Sequence, residues 1–181
     1  MIDGDSLPAT LQTDRLDVVA LDASLARALS DGDVRGAERQ LGARFPSPFV
    51  LPPLLADDIS RFADALTKAP HQTGWWGWLV IRRDVHTVVG FVLSALPGAD
   101  GFSLLGWSVY PWFERNGYAT ETMRAVLQWL FEHDAVAGAR ATIPLSFTAS
   151  RRVAEKLGLI HVRSTQDAEH DYLAVYEIPG D

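Results

Sequence analysis

The segment WSVYPWFERNGYATETMRA, from Trp107 to Ala125, decides how the rest of the chain is interpreted. Apolar residues alternate up to Val109, which predicts a strand, and Pro111 ends that strand. A short polar turn follows and leads directly into an amphipathic pattern, which predicts a helix. The first turn of a helix has free backbone N–H groups and the positive end of the helix dipole, so the sequence predicts an anion site at this junction.

The residues of the turn are suited to binding an anion. Gly117 permits a positive φ or a close approach of the backbone to a ligand, and Asn116 is a residue that can cap a helix. Ala119 and Thr120 keep the first helical turn small. A phosphate or diphosphate is the anion that we expect here.

The GYATE sequence after an Arg-Asn turn, with WSVYP before it, resembles the acyl-coenzyme A binding motif of the GNAT N-acetyltransferases, especially the branch that acetylates ribosomal-protein N-termini. Three further segments agree in order, LQTDRLDVVAL, ARATIP and SRRVAEKLGL, and together they span most of residues 10–165. The resemblance implies a mixed α/β fold, with one GNAT-like domain over residues 10–179, a mostly antiparallel sheet and helices on both faces.

Length and composition fit this expectation. A chain of 181 residues suits one domain, and the net charge of −7 argues against nucleic acid as the main partner. The chain has no cysteine, and no apolar run is long enough to span a membrane. The acidic segment 1–9 lacks a signal-peptide core and is interpreted as a loose tail, so we expect a cytoplasmic protein without a membrane partner.

The hydrophobic patterns predict the elements in chain order. Strands are expected at about 15–21, within 74–83, and at 88–95, 104–110, 139–143, 159–163 and 172–178. Helices are expected at about 22–29, 34–41, 54–66, after Gly117 and at 148–157, with Asp22 as an N-cap.

The sequence does not decide between two roles for two aromatic segments. Four prolines hold residues 42–53 in an extended loop that presents Phe45 and Phe49, and the strand that includes GWWGW carries three tryptophans. Packing against the core is the favoured interpretation of both. The alternative is that an aromatic wall of Phe49, Trp76 and Trp78 binds the acceptor through cation–π contacts.

The resemblance also implies a cofactor site for acetyl-CoA as co-substrate. In GNAT enzymes the strand matching 104–110 splays from its neighbour, so Val109 and Tyr110 would lie along the pantetheine, with the Val109 N–H beside the thioester carbonyl. Ser150 belongs to a later cofactor motif. The pyrophosphate would be held by backbone N–H groups of Arg115, Asn116, Gly117, Tyr118, Ala119 and Thr120.

Other chemistries find no support. Tyr110 occupies the position of the second glycine in a nucleophile elbow, and no phosphate-binding loop of the common kinds is present. The five histidines lack ligand spacing, so we expect no metal site.

Several positions depart from the family pattern. Glu114 replaces a Gln or Arg, Leu104 replaces a Glu that assists proton removal, and Ala154 replaces a Tyr that serves as general acid. The segment Phe147–Ser150 lacks the usual Asn. The catalytic groups are therefore unassigned. The leading hypothesis is acetyl transfer to a primary amine by direct attack on the thioester, and the alternative is a non-catalytic acyl-CoA-binding or interaction module. The acceptor is left open among a protein N-terminus, a polyamine, an aminoglycoside and another small amine, and a homodimer is left open too.

Overall fold

The computed structural model describes residues 10–166 and 172–180. The predicted tail at 1–9 lies outside the described residues, as does the centre of the loop before the last strand. The described residues form one sheet of eight strands. The strands are β1 Thr10–Gln12, β2 Leu16–Ala20, β3 Trp78–Arg82, β4 Thr87–Ser94, β5 Phe102–Val109, β6 Gly138–Pro144, β7 Ile160–Gln166 and β8 Tyr172–Pro179.

The helices lie close to the predicted positions. They are α1 Ala23–Ser30, α2 Val34–Leu41, α3 Leu55–Lys68, α4 Tyr118–Phe131 and α5 Thr148–Lys156. Asp22 caps α1 by accepting a hydrogen bond from the Leu25 N–H, as predicted, and Asp33 caps α2 in the same way through Gly36.

The strand order is β1-β2-β3-β4-β5-β6-β8-β7. Every neighbouring pair is antiparallel except β5 and β6, which run parallel because α4 carries the chain back across the sheet between them. The prediction of a mostly antiparallel mixed sheet is confirmed.

Helices cover both faces of the sheet, also as predicted. Residues of α1, α2 and α3 join one face in a buried cluster that includes Leu25, Phe62 and Phe91. On the opposite face, α4 and α5 supply Met123 and Ala154 to a second buried cluster. The parallel pair β5 and β6 lies inside the sheet, with antiparallel strands on both sides.

Two details differ from the prediction. The short edge strand β1 was not expected, because three residues give no periodic signal. The tryptophan strand begins at Trp78 rather than before it, because Gly77 adopts φ +136° and the preceding Pro70–Gln72 segment forms a 3₁₀ turn. No helix in the described part of the chain has the length and apolar character required to cross a bilayer.

Candidate active site

The parallel strands β5 and β6 separate partway along their length. They are paired from Phe102 with Gly138 to Leu105 with Ala141. Beyond that point β5 pairs with β4 as far as Val109, and β6 pairs with β8 as far as Pro144. A wedge-shaped opening therefore lies between the end of β5 and the end of β6, as the predicted splay requires.

The backbone of β5 presents polar groups to this opening. The Leu104 carbonyl accepts a hydrogen bond from Ala95, and the Tyr110 N–H donates to Val89, so even-numbered residues of β5 direct their backbone groups toward β4. Because these directions alternate along a strand, Trp107 and Val109 direct their N–H and C=O groups toward the opening. This segment can add hydrogen bonds to an extended, amide-containing chain.

The turn at the end of the opening has the geometry predicted for an anion site. Gly117 is the N-cap of α4 and adopts φ +81°, and no side chain caps the helix. Arg115 also adopts a positive φ of 63°, which is uncommon for a residue other than glycine. Arg115, Asn116 and Gly117 are exposed. The first N–H groups of α4 are thus available to a phosphate oxygen, with a cationic side chain nearby.

Asn116 contributes differently from what the sequence indicated. Its side-chain amide donates hydrogen bonds to the carbonyl oxygens of Phe113 and Glu114, at 3.1 and 3.0 Å. The side chain therefore closes the turn on its N-terminal side and does not cap α4. Its role in cofactor binding would be to hold the shape of the turn.

Arg15, which the sequence analysis did not select, lies against this turn. Its guanidinium donates 2.9 Å to the Asn116 carbonyl and 2.8 Å to the Glu121 carboxylate, and it lies over the Tyr118 ring at 4.8 Å. About one hundred residues separate these partners in sequence, so local patterns could not reveal the contact. The sequence indication for Arg15 was its place in the segment LQTDRLDVVAL, one of the segments that resemble the family.

The carboxylate of Glu121 is held in its ionised form. Partial burial raises its pKa, but hydrogen bonds from the Thr13 hydroxyl, the Arg15 N–H and the Arg15 guanidinium outweigh that effect and lower the pKa below its ordinary value. Glu121 is therefore an anion in the first turn of α4. Its pairing with Arg15 offsets the negative charge that it places near the proposed diphosphate position.

Tyr110, which the resemblance places along the pantetheine, directs its backbone groups away from the opening. Its N–H donates to Val89, its C=O accepts from Phe113, and its buried hydroxyl donates to the carbonyl of Val50. Burial raises the pKa of this hydroxyl well above its ordinary value, so Tyr110 stays neutral and remains a donor. Val109 is the residue of this pair that presents backbone groups to the opening.

The proline-containing loop at 42–53 lies against β5. Besides the bond from Tyr110 to Val50, the Ser108 hydroxyl donates 2.6 Å to the Pro53 carbonyl. Phe45 is buried and contacts Phe49 edge to face, with ring centroids 5.2 Å apart, whereas Phe49 is 38% exposed. Phe45 therefore follows the packing interpretation, whereas the Phe49 side chain is partly accessible to solvent.

Trp78 cannot form part of an acceptor wall in this arrangement. It is 0% exposed, packs against Trp129 and donates from its indole N–H to the Ser94 hydroxyl at 3.1 Å. The packing interpretation holds for this residue, because the face of β3 that carries it is covered by α4. Trp76 precedes the strand, is partly buried and packs against Phe62 with its indole N–H on Gln72.

Leu104 on β5 and Ala154 on α5 are two of the positions that depart from the family pattern. Ser150 lies in the first turn of α5, separate from the turn at Gly117. Leu104 is 49% exposed on the face of β5 opposite α4, and Ala154 is fully buried on the inner face of α5. Neither residue has a side chain that can transfer a proton. In residues 10–166 and 172–180, no group of three or more histidines and carboxylates is placed to hold a metal ion.

The sequence matches the family described as "Acetyltransferase (GNAT) domain" over residues 17–160. That match covers well over half of the chain and includes both strands of the opening and the turn at Gly117. The chain belongs to the GNAT acetyltransferase family, and its sheet and helices have the fold of that family.

The individual proteins to which this chain is similar share low sequence identity with it. An uncharacterized N-acetyltransferase, YjdG, from Bacillus subtilis strain 168 is 24% identical over 161 residues, which cover 88% of this chain and 95% of that protein. The ribosomal-protein-S5-alanine acetyltransferase of Vibrio fischeri superposes with a TM-score of 0.68 at 11% identity, covering 96% and 98% of the two chains. The microcin C7 self-immunity acetyltransferase MccE, in complex with acetyl-CoA and AMP, superposes with a TM-score of 0.64 at 12% identity, covering 95% and 97%.

Proposed function

We propose that this protein transfers the acetyl group of acetyl-CoA to a primary amine by direct attack on the thioester. The observation that carries the proposal is the opening between β5 and β6, which ends at the exposed N-terminus of α4. The opening offers backbone groups to the pantetheine, and the turn offers N–H groups and Arg115 to the diphosphate. The complex of the similar protein MccE with acetyl-CoA supports this choice of donor.

The proposed binding mode assigns a task to each part of the site. The diphosphate binds at 115–120, with Arg15 and Asn116 holding the turn in shape. The pantetheine amides pair with Trp107 and Val109. Ser150 contributes from α5, on the other side of the opening. These contacts fix the thioester near Val109, beside the loop that carries Phe49.

The proposed reaction proceeds through a tetrahedral intermediate. The neutral amine attacks the thioester carbonyl, forming a C–N bond, and the Val109 N–H donates to the resulting oxyanion. The C–S bond then breaks, and the intermediate yields an amide and the thiolate of coenzyme A. The nitrogen loses its proton to water, and the thiolate is protonated from solvent, because Leu104 and Ala154 supply no acid or base.

Binding of acyl-CoA without turnover is the second candidate function. It is favoured by the same two positions, where apolar side chains stand in place of the proton-transfer groups implied by the family resemblance. The two candidates differ in whether the acetyl group is transferred, and both require binding of acyl-CoA. The acceptor of the first candidate is proposed to be a protein N-terminus or a small amine, the range suggested by the names of the similar acetyltransferases. The cytoplasmic location and the homodimer stay predictions.

Two measurements test the proposal. Calorimetric titration should show that coenzyme A binds with 1:1 stoichiometry, and acetyl-CoA consumption should depend on at least one amine in a panel of peptides, polyamines and aminoglycosides. Binding without consumption across the panel would favour the non-catalytic candidate. Absence of coenzyme A binding by the folded protein would contradict both candidates.

A further inference from the structure

A groove at the edge of the helical layer combines concave shape with positive charge. It has a volume of about 680 Å³ and lies between α2, the start of the loop at 42–53 and the turn that joins β3 to β4. The residues that line it are Arg35, Glu38, Arg39, Gly42, Ala43, Arg44, Phe45, Ser47, Val85 and His86. We call it the arginine groove.

The charges in the arginine groove are not neutralised by the protein. Arg35, Arg39 and Arg44 are exposed, and none forms an ion pair within 4.0 Å among the residues that the structure describes. Glu38 is the one carboxylate in the lining, and it accepts a hydrogen bond from the Phe45 N–H at 2.9 Å. The groove is thus a cationic surface on a chain whose net charge is −7.

Arg35 and Arg39 are four positions apart on α2, and like charges at that spacing repel one another. A bound anion would relieve this repulsion. Binding of an anionic partner would therefore give a physical reason for placing these arginines close together.

The groove is built on a fixed backbone. Gly42 ends α2 with φ +62°, and the chain then pairs with the hairpin, since the Arg44 N–H donates to His86 and the Val88 N–H donates to Arg44, at 2.8 and 2.9 Å. Arg44 is thereby held on the hairpin side of the groove. The arginines of α2 line the other side.

The same loop connects the groove to the candidate active site. Phe45 lines the groove and contacts Phe49, and the next residue, Val50, accepts the hydrogen bond from Tyr110 at the end of β5. Tyr110 follows Val109, which faces the thioester position. A chain lying along this loop would pass from the arginine groove to the opening.

We propose that the arginine groove binds an acidic peptide segment, the residues that follow the N-terminal amine of a polypeptide acceptor. This inference rests on the proposed function and specifies its acceptor class. Alternate side chains of an extended peptide lie on one side, about 6.6 Å apart, and positions i and i+4 of a helix are about 5 to 6 Å apart at Cβ. Carboxylates at alternate peptide positions therefore match Arg35 and Arg39, with Arg44 opposite. The aromatic wall that the sequence offered for a cationic acceptor lacks Trp78, which is buried in the core, whereas the cationic arginine groove is exposed.

A binding measurement tests the groove independently of catalysis. The probe is a fluorescein-labelled ten-residue peptide with a blocked N-terminus and aspartate at alternate positions, compared with the same peptide carrying asparagine. We expect the acidic peptide to bind more tightly, and added salt to weaken it. The double variant Arg39→Gln/Arg44→Gln should bind it about tenfold more weakly, the loss expected for two exposed ion pairs.

The matched control is Arg61→Gln, the same substitution at an exposed position on α3 outside the groove. It should bind the acidic peptide like the wild type. Equal affinity for the two peptides, or an unchanged affinity of the double variant, would overturn the proposal. Displacement of the peptide by a single-stranded DNA oligomer of equal charge at lower concentration would overturn it as well, because a nucleic acid would then be the better partner.

Unblocked versions of the two peptides separate this inference from the proposed function. We expect kcat/KM for the acidic peptide to exceed that for the neutral peptide, and the double variant to remove the difference while coenzyme A affinity stays the same. Acetylation of both peptides with equal kcat/KM would overturn the groove inference alone. Binding of the acidic peptide in the groove with no acetylation of any amine would support the groove and contradict the proposed transfer.

Discussion

The guanidinium of Arg15 lies 2.6 Å from the carboxylate of Glu121, although 106 positions separate the two residues in the chain. The pair joins the start of β2 to the first turn of α4. The same guanidinium donates to the Asn116 carbonyl, so the ion pair also supports the turn at which the diphosphate is proposed to bind. The geometry of the site therefore depends on a contact between two residues that are far apart in the sequence.

This ion pair predicts a pH-dependent contribution to stability. The pKa of Glu121 is lower in the folded protein than the ordinary value near 4.3, so the ionised carboxylate stabilises the fold fully above that value. Its contribution should disappear as the pH falls through the lowered pKa. Glu121→Gln should reduce the free energy of unfolding by about 1 to 2 kcal/mol at pH 7, after allowance for the exposure of Arg15. Urea denaturation at pH 7, 5 and 3 should show this difference shrinking toward pH 3.

Glu132, exposed at the other end of α4, provides the control for that experiment. Glu132→Gln should change the unfolding free energy by less than about 0.5 kcal/mol at pH 7. A constant difference between wild type and Glu121→Gln over the whole pH range would contradict the assignment of a lowered pKa to a native ion pair.

Gly117 provides a test of the diphosphate position. An ideal Cβ at this residue would have Arg15 Nη2 as a neighbour at 3.6 Å, an ordinary contact, while the φ of +81° strains any side chain. Gly117→Ala adds this strain alone, and Gly117→Asp adds the same strain and a carboxylate. We expect the Asp variant to bind coenzyme A more than about tenfold more weakly than the Ala variant in calorimetric titration, because its charge repels the diphosphate. Equal affinities of the two variants would place the diphosphate elsewhere.

Val109 provides a test of oxyanion stabilisation. Its N–H faces the opening and not β4, so Val109→Pro removes this donor without removing a bond of the sheet. With an amine that the wild type acetylates, we expect kcat to fall about 100- to 1,000-fold, the usual cost of one oxyanion donor. Val109→Ala keeps the N–H and should retain most of the activity. Similar kcat values for the two variants, both folded and saturated with acetyl-CoA, would remove Val109 from the mechanism.

The aromatic residues give contrasting predictions. Phe49→Ala should raise the acceptor KM and leave coenzyme A affinity unchanged, because this partly exposed side chain lies on the loop against β5. Trp78→Phe should leave the acceptor KM unchanged and lower the unfolding free energy by about 1 to 3 kcal/mol, because it removes a buried hydrogen bond and core volume. Thermal unfolding and steady-state kinetics on both variants check the pair of results. A rise in acceptor KM for Trp78→Phe with unchanged stability would reverse this assignment.

Local patterns in the sequence were sufficient for most of the elements. Asp22 and the apolar spacing after it predicted α1, and the alternation before Pro111, followed by the Gly117 turn, predicted the junction of β5 and α4. These signals are local because backbone hydrogen bonding, capping and glycine conformation act within a few residues. The resemblance to the acyl-CoA motif of the family is visible in the sequence for the same reason, because the residues of that motif are contiguous.

The tertiary structure alone decided which side chains face the site. The family resemblance implied that Tyr110 lies along the pantetheine, and the sequence left Trp78 open as an acceptor contact. Packing of the helices on both faces buries both side chains. It also brings Arg15 to Glu121 and Arg44 to the hairpin at His86, pairs that no local spacing encodes. The sequence by itself determined where the turn before α4 forms, because that depends on neighbouring residues. Only the fold decided what surrounds the turn, because burial and long-range ion pairs depend on how distant elements pack.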